Sequence, residues 1–317
     1  MRRLGQFVFA ASLSLTLAAT FLRASDSKKD DPSQIGNRDV SSGVNFYSLE
    51  KERALGRQLA QEVERQAKIV DDPLISEYIN RLGQNLVRNS DAKLPFSFKI
   101  IDSPEVNAFA LPGGYVFVYT GLIRIADEED ELAAAMAHEI AHVAARHMTR
   151  QASRAQLANV AAGTAGGWLG GWTGYAARQA AGLAIPMTFL SFGRKDESEA
   201  DYLGVQYLYA AGYDPTGAIS IFEKMEALER RSPGTISRAF STHPMDADRI
   251  ARTQREIEAI LPARPQYLVN TSDYSAMRQR LLAHETARQK SAPAQPTLQT
   301  GRGATAPDVI LTPDHRR

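Results

Sequence analysis

The chain has 317 residues, with 37 Lys and Arg against 36 Asp and Glu, and no cysteine. That balance leaves no basic excess to neutralise phosphates, which argues against nucleic acid as a partner. Without cysteine there is no disulfide, thiolate metal site or thiol nucleophile, so any metal must be held by His, Asp or Glu.

Arg2 and Arg3 precede an uncharged run from Leu4 to Leu22, followed by Arg23-Ala24-Ser25-Asp26. A basic start, an apolar centre and small residues afterwards predict a secretory signal over residues 1–24. An uncleaved anchor is the alternative, because a run of that length nearly spans a bilayer. Removing residues 1–24 takes away three Arg and no acid, leaving a formal charge of −2. Residues 25–46 are polar and read as a flexible leader. Leu55, Leu59 and Val63 recur every four residues and predict an amphipathic helix between Ser48 and Val70. Asp72-Pro73 opens a second helix, whose buried face is Ile75, Tyr78, Ile79, Leu82 and Leu86.

The period then changes. Phe96–Ile100 alternates like a strand, and Tyr115–Tyr119 follows the turn signal Pro112-Gly113-Gly114. Asn107–Leu111 can pair with the second strand as a hairpin, so a small antiparallel sheet is expected. A central helix is predicted from Asp127 to Arg150, with acids at its start and Arg146, His147 and Arg150 at its end, matching the helix dipole. Residues 155–177 are uncharged and contain six Gly and two Trp. With Arg178 and the uncharged run to 193 they read as a mobile or membrane-associating segment, favoured over a membrane span. Further helices are expected over 195–211, after Asp214-Pro215, and after His243-Pro244 through Ile250 and Ile257. A C-terminal helical extension covers 263–288, and the Pro/Ala/Thr/Gln-rich tail 289–317 reads as disordered.

The informative string is His138-Glu139-Ile140-Ala141-His142. Positions four apart share a helix face, so both imidazoles can point at one metal ion. Glu139, about 100° around the helix, can reach a water at that metal without binding it. Imidazole suits zinc, and zinc at a catalytic site takes a third protein ligand. In Asp196-Glu197-Ser198-Glu199-Ala200-Asp201, Glu197 and Asp201 are four apart and share a face, whereas Glu199 points away. Glu197 can coordinate while Asp201 fixes the tautomer of a ligand His. From spacing alone a solvated, charge-dense helix start fits equally well. His147 lies five residues past His142, off the metal face, and reads as a helix-end cation.

Taken together these strings resemble the zinc endopeptidases of the CAAX-prenyl-protease superfamily, peptidase family M48, in its bacterial periplasmic branch. The resemblance rests on Asn107-Ala108-Phe109-Ala110-Leu111-Pro112-Gly113-Gly114, on His138–His142, on Glu197–Gly204, and on Thr242-His243-Pro244 with Arg249-Ile250. It covers about residues 47–262 and implies one zinc peptidase domain there. The implied fold is α+β, mostly helical, of the gluzincin type, with the small sheet lining the cleft. The helical repeat domain that some members carry after the protease domain has no counterpart in these residues.

The resemblance implies Glu197 as third zinc ligand and Asp201 in support. It implies Glu139 as general base, with His243 and Arg249 near the reacting centre. His243 either stabilises an oxyanion with Arg249 or occupies zinc's open position and holds the enzyme latent. Ala108, Phe109, Ala110, Gly113 and Gly114 would bind substrate backbone by strand addition. The implied activity is hydrolysis of unfolded or misassembled envelope proteins, in the periplasm and with a peripheral membrane contact through 155–193. The competing reading is a non-proteolytic, zinc-braced chaperone or assembly factor.

Overall fold

The computed structural model describes Lys29 and residues 31–161, 191–231, 243 and 248–291. The expected signal peptide, most of the 155–193 segment and the tail beyond 291 lie outside the described residues. Each early helix begins where the sequence caps it. Ser48 accepts the Lys51 N–H at the start of α1 (Leu49–Gln66). Asp72 accepts from Leu74 and Ile75 at the start of α2 (Pro73–Arg88), where Pro73 occupies the first turn. The five-residue face expected on α2 is buried.

Strands β1 (Ser97–Ile101), β2 (Ala108–Leu111) and β3 (Tyr115–Tyr119) form one sheet in the order β1-β3-β2. The expected hairpin is present, with Phe109 opposite Phe117 in an antiparallel pair. The sheet as a whole is mixed rather than antiparallel, because β1 pairs parallel with β3, Ser97 opposite Tyr115. The chain reverses between β1 and β2 and again in the hairpin, so β3 enters the centre of the sheet running in the direction of β1. Alternation along the strands then divides the interior. Ala108, Ala110, Val116 and Val118 join a large core with α2 and the later helices. Phe109, Leu111 and Phe117 join a smaller core with Leu59 and Ala60 of α1. Each large side chain sealed this way contributes about 1.5–3 kcal/mol.

A short helix, α3 (Thr120–Ile125), leads into α4 (Glu129–Ala144), the centre of the domain, in which every residue except Ala135 is buried. Glu128 and Glu131 form a capping box at its start. Lys224 of α7 (Gly217–Arg231) reaches both Asp127 and Glu131 at 2.6 Å. Against α4 lies α6 (Arg194–Ala210), brought close by Gly204: a Cβ there would stand 3.2 Å from the His138 backbone. Behind them pack α8 (Arg249–Ile260) and α9 (Ser272–Ser291), and the Tyr274 hydroxyl of α9 donates to the Ala126 carbonyl at 2.6 Å. The expected C-terminal extension is therefore part of the domain, through buried Tyr274, Met277 and Leu281.

Two further expectations need correction. The helix predicted from 127 to 150 is broken: α4 ends at Ala144, Arg146 takes φ +57°, and α5 (His147–Ala161) begins at once. Residues 31–46, read as a flexible leader, are pinned to the domain. Arg38 is 3 % exposed, with Nε donating to Asp91 at 2.8 Å and Nη1 to Gln206 at 2.7 Å. A polar composition conceals such an anchor, because one buried guanidinium with prepared acceptors fixes the segment. Among the described residues, no helix is long and apolar enough to cross a membrane.

The α4–α6 crossing yields a direct expectation. Gly204→Val places a branched side chain against the His138 backbone and should destabilise the protein by about 1–3 kcal/mol. It should also lower metal retention, because α6 is pushed away from α4. Urea unfolding and metal content of the purified variant measure both.

Candidate metal centre

α4 presents His138, Glu139 and His142, and α6 presents Glu197 and Asp201. His243 joins them from a segment whose immediate neighbours, Thr242 and Pro244, lie outside the described residues. All six side chains are buried. His138 Nε2 stands 3.0 Å from His142 Nε2 and 3.3 Å from His243 Nδ1. The Glu197 carboxylate lies 3.5 Å from each of the two α4 imidazoles and 2.8 Å from His243 Nδ1. Donors at about 2.0–2.1 Å from a tetrahedral ion are about 3.3 Å apart, so this spacing fits one ion.

Hydrogen bonding agrees with that fit. Glu139 Oε2, Glu197 Oε2 and His243 Nε2 are buried without a hydrogen-bond partner. Orphaned polar atoms in an interior are costly and rare, so three in one cluster point to a missing partner. His138, His142, Glu197 and His243 together could hold a metal ion.

The surrounding charges prepare these donors. Asp201 Oδ1 lies 2.9 Å from His138 Nδ1, so His138 donates there and turns its Nε2 lone pair to the cluster. Burial opposes charge on His138, but Asp201 and Glu197 outweigh it and push the imidazole up to about 9. Burial alone dominates at His142 and drives it well below the usual histidine range. Burial also opposes charge on Glu197, yet His243, His138 and His142 hold its carboxyl far below the usual range. Glu139 differs: burial outweighs the nearby imidazoles and raises its carboxyl. Its Oε1 lies 3.2 Å from His243 Nε2, and the Ala110 backbone N–H of β2 also reaches the carboxylate.

Arg249 stands beside this cluster, committed to Asp201. Its Nε donates to Oδ2 at 2.9 Å and its Nη2 to Oδ1 at 2.6 Å, while the guanidinium stacks over Phe222 at 4.3 Å. Nη1 comes within 3.6 Å of Glu197. Ala108, Phe109 and Ala110 lie on the edge strand β2, with Phe109 turned away toward Phe117 at 5.1 Å. Gly113 and Gly114 sit in the turn with φ of +79° and +91°. A Cβ at Gly113 would stand 2.6 Å from Arg53 Cα, so the turn itself requires that glycine.

Two neighbours of the donors were not legible in the sequence. His147 meets His142, Nδ1 to Nδ1, at 2.9 Å, and Phe192 stacks on the His142 ring at 4.1 Å. Glu199 does point away from the donors, as its position relative to Glu197 predicts, and bonds His147 instead.

The profile described as Peptidase family M48 matches residues 73–257, which include every donor of the cluster. The chain belongs to peptidase family M48. It is 31 % identical over 279 residues to the Beta-barrel assembly-enhancing protease of Escherichia coli K12, covering 85 % of this chain and 56 % of that protein. It is 32 % identical over 227 residues to Metalloprotease LoiP of the same organism, covering 69 % of this chain and 88 % of LoiP. To the Mitochondrial metalloendopeptidase OMA1 of Schizosaccharomyces pombe it is 36 % identical over 187 residues, with coverages of 58 % and 52 %. The chain thus spans little more than half the length of the first of these relatives. The family is one of metallopeptidases, which implies a metal, and the matched residues contain a His/His/Glu/His cluster that could hold one.

The buried Arg249–Asp201 pair carries a measurable expectation. Arg249→Met keeps the volume but takes from buried Asp201 its bidentate guanidinium partner, which should cost about 3–5 kcal/mol near neutral pH. Burial raises the Asp201 carboxyl, but Arg249 and His138 outweigh it and hold the group below its usual value. The stability this depressed carboxyl supplies is therefore present above about pH 4 and is lost as pH falls through its folded value. The difference between parent and variant in urea unfolding should be largest above about pH 4 and shrink in acid.

Proposed function

We propose that this chain is a zinc endopeptidase of the cell envelope that cuts unfolded or misassembled proteins. His138, His142 and Glu197 would hold the metal, with Asp201 orienting His138 and Arg249 orienting Asp201. The observation that carries this reading is Glu139: a buried carboxylate beside the donor cluster, with one oxygen lacking any partner. A site that held zinc only to brace the fold would have no use for a base in that place. When bound, zinc supplies a water acidified toward neutrality and a positive charge that polarises the scissile carbonyl.

Glu139 takes the proton from the attacking water on its free oxygen. Burial raises its carboxyl, which favours keeping that proton until it passes to the departing amine nitrogen. An extended substrate would align along β2, the edge strand nearest the Glu139 carboxylate, and pair through its backbone. Such pairing reads unfolded chains with little side-chain selectivity. His243 fits the latency role better than the oxyanion role, because its Nδ1 lies among the donors and Arg249 is engaged by Asp201. It would close the site until His243 withdraws from the donors.

An extracytoplasmic, periplasmic location is supported by the basic-then-apolar segment over residues 2–22. Membrane contact through 155–193 belongs to the same proposal, and a carbonate wash of fractionated cells tests it.

Zinc content and casein proteolysis of three variants test the assignment. Glu139→Gln should keep one zinc and lose at least about 10²-fold in turnover. Glu197→Ala should lose zinc and activity together. His243→Ala should keep zinc and raise basal proteolysis. Equal activity of Glu139→Gln and the parent would refute the mechanism, and unchanged activity in His243→Ala would make that residue structural.

A further inference from the structure

We propose that His147 and Glu199 form a relay that positions His142 as a metal donor, doing indirectly what Asp201 does for His138. The inference rests on the assignment of His142 as a ligand made above. On an unbroken helix His147 would lie about 140° around from His142 and could not meet it. The break at Arg146 changes that. Its left-handed φ of +57° is uncommon for a residue with a side chain and must be held in place. Glu52 holds it, accepting from Arg146 Nε at 2.7 Å and from Thr149 at 3.1 Å, while Arg146 Nη2 donates to the Tyr47 carbonyl at 2.5 Å. Chain direction turns there, and the His147 ring swings back beneath His142, with ring centres 4.9 Å apart and planes at 75°.

With His147 neutral, the hydrogen bonds admit one consistent arrangement. His147 is fully buried, its Nε2 is 3.1 Å from Glu199 Oε2, and its Nδ1 is 2.9 Å from His142 Nδ1. A carboxylate only accepts, so His147 Nε2 carries the hydrogen and its Nδ1 is left as an acceptor. His142 Nδ1 must therefore donate, which leaves the His142 Nε2 lone pair facing His138 and Glu197. Glu199 is itself fixed by Lys29 at 2.9 Å and Arg150 at 3.2 Å. Phe192 stacks on the His142 ring, limiting its rotation. Each α4 imidazole thus has its own carboxylate on α6, Asp201 in contact with one and Glu199 one ring removed from the other. These cations neutralise Glu199 and leave it an anchor for the relay rather than a ligand.

His147 is a positioning residue, and affinity for zinc reads its effect without any turnover. Zinc is titrated into metal-free full-length protein against a chromophoric chelator, with thermal melting of each zinc-saturated variant as the control for folding. His147→Phe keeps ring and volume without polar atoms and should weaken zinc about 10–100-fold, the usual effect of losing such support. His147→Gln retains an acceptor and a donor and should recover most of that loss at a similar melting temperature. Glu199→Ala should weaken zinc by a smaller factor, about 3–10-fold. Zinc affinity of His147→Phe within threefold of the parent overturns the relay, as does an equal loss in His147→Phe and His147→Gln. If His147→Phe does not fold, Glu199→Ala decides alone, and parental affinity there overturns the proposal. His142→Ala separates the two levels: parental affinity in that variant defeats the ligand assignment itself, whereas its loss of zinc beside an unaffected His147→Phe defeats only the relay.

Discussion

Side chains of two helices can meet at a single point only if the helices cross within reach of a carboxylate and two imidazoles. That closeness governs everything else in this domain. α4 achieves it with buried alanines flanking its functional residues, among them Ala137 and Ala141. α6 achieves it with Gly204, whose missing side chain leaves the His138 backbone room at the crossing. Small residues there are what bring Glu197 to within 3.5 Å of both α4 imidazoles. The mixed sheet then fixes the opposite wall, carrying the Ala110 N–H to Glu139.

A second constraint is electrostatic. Glu139, Glu197 and Asp201 are buried within one cluster, and Arg249 is the guanidinium enclosed with them. Arg252 approaches Asp201 at 3.7 Å from a more exposed position. Three carboxylates beside one enclosed guanidinium leave an acidic excess, which without a metal raises the proton affinity of His138 and which a bound cation would balance. Buried charges persist only when paired, so the acids that look extravagant in a protein core are consistent with a resident cation. Asp201 shows how finely the charges are shared, since one carboxylate both orients His138 and anchors Arg249.

Much of this was legible because local rules and global packing agree. Asp72-Pro73 announces α2, and its three-and-four spacing names the buried face correctly. His138 and His142, and Glu197 and Asp201, are each four apart, so a helix places each pair on one face. Choosing Glu197 from its acidic neighbours needed more than spacing, because partnership with α4 is a tertiary fact. The parallel β1–β3 pairing was hidden for a similar reason: a strand's alternation says nothing of the direction of its neighbour. Arg146 breaks the central helix without a glycine or proline to signal it, and Glu52, far away in sequence, holds it there. The expectation that His147 lies off the metal face fails for that reason alone, because the break brings it against His142. Residues 31–46 look disordered by composition, yet Arg38 finds Asp91 and Gln206, which no local pattern reveals.

On the proposed reading, side chains from α4 and α6 converge on one zinc ion. Zinc-edge X-ray absorption of the purified full-length protein, with metal analysis, tests it most directly. One zinc per chain, a nitrogen and oxygen shell at about 2.0–2.1 Å, and outer-shell scattering from at least two imidazoles should be seen. Absence of bound zinc after purification with zinc present, or a shell without imidazole scattering, would contradict the claim.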